Sequence, residues 1–378
     1  MEHYLDNAAT TMVCPEAAEA ALQAMTLCYG NPSSTHAKGR EAKKLLDRAR
    51  GQVSAALGCA PGELVFTSCG SESDNWAVLG GAEAMRHRGR HVISSAAEHD
   101  AVRKCLDELE ARGFEVTRLK PNALGGIEPS AVAEALREDT LRVSLMLVNN
   151  ETGAVTDLAA VSRLLKQAGS RALLHTDAVQ GFLKVPFRAG TLGADLISIS
   201  GHKIHAPKGV GALYVRNGLH LRPMLLGGAQ ENGRRAGTEA VPQIAAFGAA
   251  CETARAHVSE NTAHMSALRE QALESLRREI PELAVIGGGA PHILSVSLPG
   301  WRSEVLINWL EAQEIYVSRS SACKKGARSH VLEAIGLRPE VIDGAIRIGL
   351  SRFSTEQDVK ALCRGLKEAR DRLSHRSV

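Results

Sequence analysis

The chain is 378 residues long, 44% hydrophobic and 23% charged, with a net charge of +3, which fits a globular protein of two domains rather than one. Lysines and arginines are spread along the sequence, which excludes a nucleic-acid-binding tract, and no apolar stretch approaches the ~20 residues that cross a bilayer. The first residues, Met1-Glu2-His3-Tyr4-Leu5-Asp6, lack the basic and apolar regions of a signal peptide, so a cytoplasmic location is expected.

In chain order, periodicity predicts a helix over 41–57, a strand over 63–67 and a helix over 73–86. Strand 91–95, helix 101–112, strand 116–119, helix 130–137 and a long apolar strand over 141–149 follow. Then come helix 158–167 and strands beginning near Ala172, Ala194 and Gly209. Strands alternating with helices imply an α/β fold with a mostly parallel sheet covered on both faces. Such sheets bind ligands beyond the carboxyl ends of their strands. Past about Arg255 the texture changes. A long amphipathic helix over 261–280, a turn at Gly287-Gly288-Gly289, a strand over 292–298 and helices over 303–313 and 355–373 read as α+β. The expected organisation is a large domain over 15–255 and a smaller one made of 1–14 and 256–378.

The chemistry-bearing residues cluster at predicted strand ends. Val65 to Ser73 ends a strand and opens a helix, a place where free amides suit a phosphate. Gly70 allows close approach there and Ser71 adds a hydroxyl; an ordinary strand–turn–helix with a serine cap is the plain alternative. Glu98-His99 follows strand 91–95, and a histidine at that point can stack on a flat ring and move protons, or be a satisfied core histidine. Asn149-Asn150-Glu151-Thr152-Gly153 ends the longest apolar strand, with Asn150 the candidate side chain. His175-Thr176-Asp177-Ala178-Val179-Gln180 and Ser200-Gly201-His202-Lys203 end two further strands. A lysine and an acid so placed are what pyridoxal phosphate requires. Lys203 can hold the aldehyde as a Schiff base, and Asp177 can keep the pyridine nitrogen protonated so that the ring accepts electrons. Gln180 can donate to the ring's phenolic oxygen, and Ser200 and His202 to the phosphate. Asp177 could equally be a helix cap.

Two more candidates lie downstream. Cys323, in Ser318-Arg319-Ser320-Ser321-Ala322-Cys323-Lys324-Lys325-Gly326, sits beside two lysines that favour its thiolate. Arg347 interrupts the apolar run 345–351, where it needs an anion: a substrate carboxylate held in a two-pronged contact, or a structural ion pair. The eight cysteines show no CxxC and no regular spacing, so neither a metal site nor a disulfide framework is indicated.

Taken together, these motifs resemble the cysteine desulfurases of the NifS/IscS type, in the class V aminotransferase group of fold-type I pyridoxal-phosphate enzymes. The resemblance runs nearly end to end, through Tyr4 to Thr11, Gly30-Asn31-Pro32-Ser33-Ser34, Val65 to Asn75, Glu98-His99, Asn149 to Gly153 and His175 to Gln180. It continues through Ser200 to Lys203, Gly233 to Glu239, Ser321-Ala322-Cys323 and Ile346-Arg347. It implies a homodimer that converts L-cysteine to L-alanine and leaves sulfur on Cys323 for a sulfur-acceptor protein. It assigns Lys203, Asp177, Gln180 and His99 to the ring. Gly70, Ser71, Ser200 and His202 go to the phosphate, joined by Thr238 from the other subunit, and Asn150 and Arg347 to the substrate carboxylate. Selenocysteine lyase or another β-eliminating enzyme of the same fold, and a non-catalytic protein that binds a sulfur-transfer partner, are the alternatives. Two departures fall on the cysteine loop. Arg319 and Ser320 stand where long-loop members carry a small residue and a glycine, and the stretch from Cys323 to Ser329-His330-Val331 is about two residues shorter. Both bear on the acceptor rather than on the cofactor.

Overall fold

The computed structural model describes residues 2–320 and 328–373. Thirteen strands are formed among them: β1 (His3–Tyr4), β2 (Leu64–Thr67), β3 (His91–Ser95), β4 (Glu115–Leu119), β5 (Thr140–Ser144), β6 (Leu173–Asp177) and β7 (Leu196–Ser200). The others are β8 (Gly211–Val215), β9 (Ala284–Ile286), β10 (Ile293–Ser297), β11 (Ile315–Tyr316), β12 (Ser318–Arg319) and β13 (Ala345–Gly349). Seven of them build one sheet in the order β2-β8-β7-β6-β5-β3-β4. The strands from β7 to β4 run parallel, whereas β8 is antiparallel to both its neighbours. Every residue of β3, β5, β6 and β7 is buried, which explains their near-continuous apolar runs.

Helices cover the sheet. The helix Ala37–Leu57 starts four residues earlier than periodicity predicts, because the His36 side chain caps it by accepting from the Gly39 amide. The predicted helix over 73–86 begins at Gly70 and continues through a wider turn at Trp76–Gly80 to Met85. The predicted strand over 141–149 is shorter. Regular pairing ends at Ser144, and the extended chain beyond it donates from Leu145 to the His175 carbonyl and from Leu147 to the Asp177 carbonyl.

A second core forms where the helix Val258–Glu279, the helix Ser303–Glu311 and the capped helix Glu356–Arg372 pack on the antiparallel sheet β12-β13-β10-β9. The amino-terminal segment joins the two cores. β1 pairs in parallel with β11, Leu5 is buried in the second core, and Ala8 and Cys14 are buried in the first. The Gly349 amide donates to the Leu5 carbonyl and the Asn7 amide to the Gly349 carbonyl. A Cβ at Gly349 would stand 2.4 Å from the Ala8 nitrogen, so only glycine lets the segment lie this close. The Thr11 amide and hydroxyl both donate to the His202 carbonyl, which carries the segment onto the loop beyond β7. Among the described residues no helix is long and apolar enough to cross a membrane.

Candidate active site

The carboxyl ends of β2, β3, β6 and β7 open onto one cavity of about 470 Å³, a volume suited to a small cofactor with its substrate. Ten of the twelve residues singled out from the sequence line it: Gly70, Ser71, His99, Asn150, Asp177, Gln180, Ser200, His202, Lys203 and Arg347. Thr238 is exposed and does not line the cavity of its own chain. Cys323 lies outside the described residues, which end at Ser320 and resume at Arg328, both on the cavity wall.

Lys203 closes a single helical turn, Gly201–Lys203, at the end of β7. Its Nζ donates to the carbonyl oxygens of Ala8 at 2.8 Å and Ala9 at 2.6 Å. Burial and the guanidinium of Arg347 push the amine down to about 8, against a smaller upward pull from Asp177 and Asp6. A lysine so placed is partly neutral near physiological pH and can act as nucleophile or base.

Asp177 ends β6 and accepts from the Val179 amide at 2.9 Å. Burial raises its carboxyl, while His99 and Lys203 favour its charge. Gln180 donates to the Ala8 carbonyl at 2.8 Å, and its Oε1 lies 3.3 Å from His292 Nε2. His99 caps the helix Asp100–Ala111 with its Nδ1, which accepts from the Ala101 amide at 3.2 Å. A neutral ring bonded in this way carries its proton on Nε2. His202 Nδ1 lies 3.2 Å from Thr10 Oγ1, and burial together with Lys203 pushes its imidazole down to about 4.

Arg347, in β13, reaches the cavity wall from the second sheet. It donates to the Asn150 carbonyl at 2.9 Å, to Asp6 Oδ1 at 3.1 Å and to Ser318 Oγ at 2.8 Å. The anion its burial calls for is therefore present in the chain itself, while its Nε has no hydrogen-bond partner among the described residues.

Three further buried acids line the cavity and lie outside the sequence-based site. Asp74 is raised well above the ordinary carboxylate range by burial and by Asp177. Burial pushes Glu98 up to about 8, although Ser95 and the Met146 amide bond its Oε1 at 2.6 and 3.1 Å. Glu151 is pushed up to about 7, again by burial, and accepts from the Ser329 hydroxyl. Four buried acids and several cations in one cavity are the pattern expected of an active site.

The pocket fits pyridoxal phosphate. Among the described residues, the buried Ser200 Oγ, Asn150 Oδ1 and Asp74 Oδ1 have no hydrogen-bond partner, an arrangement that leaves polar groups for a ligand. A Cβ at Gly70 would stand 2.8 Å from Val179 Cγ2 and 3.4 Å from Ser200 Cβ, so glycine keeps the turn next to Ser200 open.

The family model for class-V aminotransferases matches residues 3–362. The chain belongs to the class-V aminotransferase family. This class-V aminotransferase is 40% identical over 379 residues to "Cysteine desulfurase IscS" of Methanosarcina thermophila, an alignment that covers 99% of this chain and 93% of the relative. It resembles a solved "NifS-like protein" with a TM-score of 0.93 at 37% identity, over 99% of this chain and all of the other. The structure "SspA in complex with cysteine" matches with a TM-score of 0.80 at 31% identity, over 94% of this chain and all of the other. The mostly parallel fold expected from the alternating strands is that of these relatives.

Proposed function

We propose that the protein is a pyridoxal-phosphate-dependent cysteine desulfurase that converts L-cysteine to L-alanine and leaves the sulfur on Cys323. The observation that carries this reading is the partly neutral amine of Lys203 in one cavity with buried Asp177 and with Arg347 on its wall. Bound there, the cofactor would supply an electron sink for the carbanion formed at the substrate α-carbon.

The chain's own groups do the rest. Lys203 holds the cofactor, and its amine takes the α-proton once the substrate amine has replaced it. Asp177 keeps a negative charge at the ring nitrogen, and Gln180 and His99 orient the ring. Ser200, His202, Ser71 and the Gly70 turn receive the phosphate. Arg347 and Asn150 bind the substrate carboxylate; to do so, Arg347 turns one donor away from Asp6 or uses its free Nε.

The thiolate of Cys323 attacks the substrate sulfur. The carbon–sulfur bond breaks, the sulfur stays on the enzyme as a persulfide, and the carbon framework leaves as alanine after protonation. The persulfide then passes to a sulfur-acceptor protein or a small thiol. A homodimer is part of this reading. It is supported by the exposure of Thr238 away from its own cavity and by Leu22, Met25, Leu27 and Tyr29, exposed along and just beyond the helix Pro15–Thr26.

The test is product analysis. Cofactor-loaded protein supplied with L-cysteine and a thiol reductant should release alanine and sulfide in equal amounts. Pyruvate and ammonia in place of alanine would assign the chain to β-elimination instead.

A further inference from the structure

The strand β2 forms one edge of the seven-stranded sheet, so its outward backbone groups need partners from outside the sheet. Side chains supply them one after another along the edge. The Leu64 carbonyl accepts from Arg50 Nη1 at 3.1 Å and from Arg234 Nη2 at 3.3 Å. The Phe66 amide donates to Glu231 Oε2 at 3.0 Å, and Arg50 grips Glu231 through two bonds of 2.8 and 2.6 Å. The Ser68 amide donates to Glu72 Oε2 at 2.7 Å. The segment 231–235 therefore lies beside β2 and reaches the turn that opens the helix Gly70–Asn75.

Glu72 joins that segment to the turn. From the first turn of its helix it reaches back to the Ser68 amide, as the acid of a capping box does. Both its oxygens also accept from Arg235, Oε1 from Nε at 2.9 Å and Oε2 from Nη2 at 3.1 Å. The side chains of Arg235 and Glu72 are only 21% and 15% exposed, and a two-pronged guanidinium–carboxylate bond sheltered in this way fixes both partners. Burial opposes the charge on Glu72, yet the bonds from Arg235 and Ser68 hold its carboxyl below the ordinary carboxylate range. The bond to Glu72 in turn holds Arg235 above its ordinary value. The pair is ionised at neutral pH.

The other side of the same turn faces the cavity. Gly70 and Ser71 line it, whereas Glu72 and Arg235 do not. Thr67 Oγ1 and Ser73 Oγ lie 3.1 and 3.3 Å from the Cys69 carbonyl oxygen, which steadies the turn from within. The Arg235 pair ties it to a segment far away in the chain.

We propose that Arg235 is a positioning residue for the phosphate of the cofactor. Its two-pronged bond to Glu72 fixes the turn from Ser68 to Ser71, and with it the places of Gly70 and Ser71 on the cavity wall. It also neutralises the carboxylate next to them in the chain. The inference rests on the reading of Gly70 and Ser71 as the phosphate turn. It gives Arg235 no part in holding the aldehyde, which falls to Lys203 on the loop beyond β7.

The experiment measures the affinity of the full-length, cofactor-free protein for pyridoxal phosphate and for pyridoxal, which has the aldehyde and lacks the phosphate. Arg235→Ala should lower affinity for pyridoxal phosphate about tenfold or more, the size of one charge-assisted hydrogen bond, and leave pyridoxal within a few-fold of wild type. Arg235→Lys keeps the charge without the fork and should fall between. In a Glu72→Ala background, Arg235→Ala should have no further effect, because Arg235 acts through Glu72. Equal losses for the two ligands would make the pair a support of the fold alone. That outcome, an unchanged affinity for pyridoxal phosphate, or a full loss in the Glu72→Ala background overturns the proposal. If Arg235→Ala does not fold, Arg235→Lys decides by the same ratio of affinities. Ser71→Ala separates the inference from the reading beneath it. A ratio moved by Ser71→Ala and not by Arg235→Ala removes Arg235 alone; a ratio moved by neither removes the phosphate turn as well. No arm needs cysteine or turnover, so the result is independent of whether the protein is a desulfurase.

Discussion

Lys203 Nζ and Gln180 Nε2 donate to the same acceptor, the carbonyl oxygen of Ala8, each at 2.8 Å. Two groups assigned to neighbouring positions of a cofactor ring, its aldehyde and its phenolic oxygen, are thus held by the amino-terminal segment, far from both in sequence. The same segment reaches the second core through Leu5 and β1. The reactive amine is positioned by whatever keeps residues 5–9 in place, including the close approach at Gly349.

The first prediction concerns the charge on Lys203. Its amine is held below the ordinary lysine value, at about 8, so the neutral, nucleophilic form is gained as pH rises through about 8. Attachment of pyridoxal phosphate to the cofactor-free protein, followed by visible absorbance, should speed up with a midpoint near that pH. The Arg347 guanidinium is one cause of the depression, so Arg347→Gln should move the midpoint upward. Borohydride reduction and peptide mass spectrometry should place the pyridoxyl group on Lys203. A label on the exposed Lys208 would remove Lys203 from the mechanism.

Arg347→Ala should raise KM for cysteine while pyridoxal phosphate stays bound. Losing one partner of a desolvated charge pair costs about 2–5 kcal/mol, which is at least about 30-fold in substrate affinity. The substitution also frees Asp6 and the Asn150 carbonyl, so cofactor content and melting temperature should be measured beside KM. An unchanged KM would leave Arg347 with its structural ion pair alone.

The strand-end residues were legible in the sequence because a parallel sheet forces its loops to one edge. Lys203, Asp177, His99 and Gly70 each follow a buried apolar run and converge for that reason. Asp74 was not legible, since Ser71-Glu72-Ser73-Asp74-Asn75 reads as a solvated polar helix face and only the packed structure shows it at 1% exposure. The carbonyls of Ala8 and Ala9 leave no side-chain signal at all. The antiparallel direction of β8 was missed because an apolar run looks alike in either direction. The helix Val241–Ala256 escaped periodicity because nine of its residues are buried and no polar stripe marks a solvent face.

Lys184 yields a stability prediction. It is 7% exposed, its Nζ has no hydrogen-bond partner among the described residues, and burial with the nearby charges of Lys203 and Arg347 pushes it down to about 7 from an ordinary 10.5. Between those two values the unfolded chain binds more protons at this site than the folded one. Its contribution to stability therefore rises with pH across that window, and below about pH 7 the full cost is present. Lys184→Met should stabilise the cofactor-free protein at pH 7 by on the order of a few kcal/mol, with a gain that shrinks toward pH 10. Denaturant titrations at pH 6, 8 and 10 test this, and a destabilised variant at pH 6 would contradict it.

Cys323→Ser separates the function from the fold. Among the described residues, all those assigned to the cofactor except Thr238 line one cavity, and none of them is altered in the variant, so it should stay folded and retain pyridoxal phosphate. It should also still bind cysteine, because that step calls on Lys203, Asp177 and Arg347. Removal of the substrate sulfur needs a strong nucleophile, and a serine hydroxyl at neutral pH is far weaker than a thiolate beside two lysines. Alanine production from cysteine should collapse, and alkylation with peptide mass spectrometry should find no persulfide. Selenocysteine supplies the control, because its selenium can leave without attack by Cys323. A variant that releases alanine from selenocysteine at the wild-type rate, and none from cysteine, places the persulfide chemistry on Cys323 and leaves the cofactor machinery intact. Desulfuration of cysteine by the variant at the wild-type rate would make Cys323 an idle thiol and return the function to a lyase of the same fold.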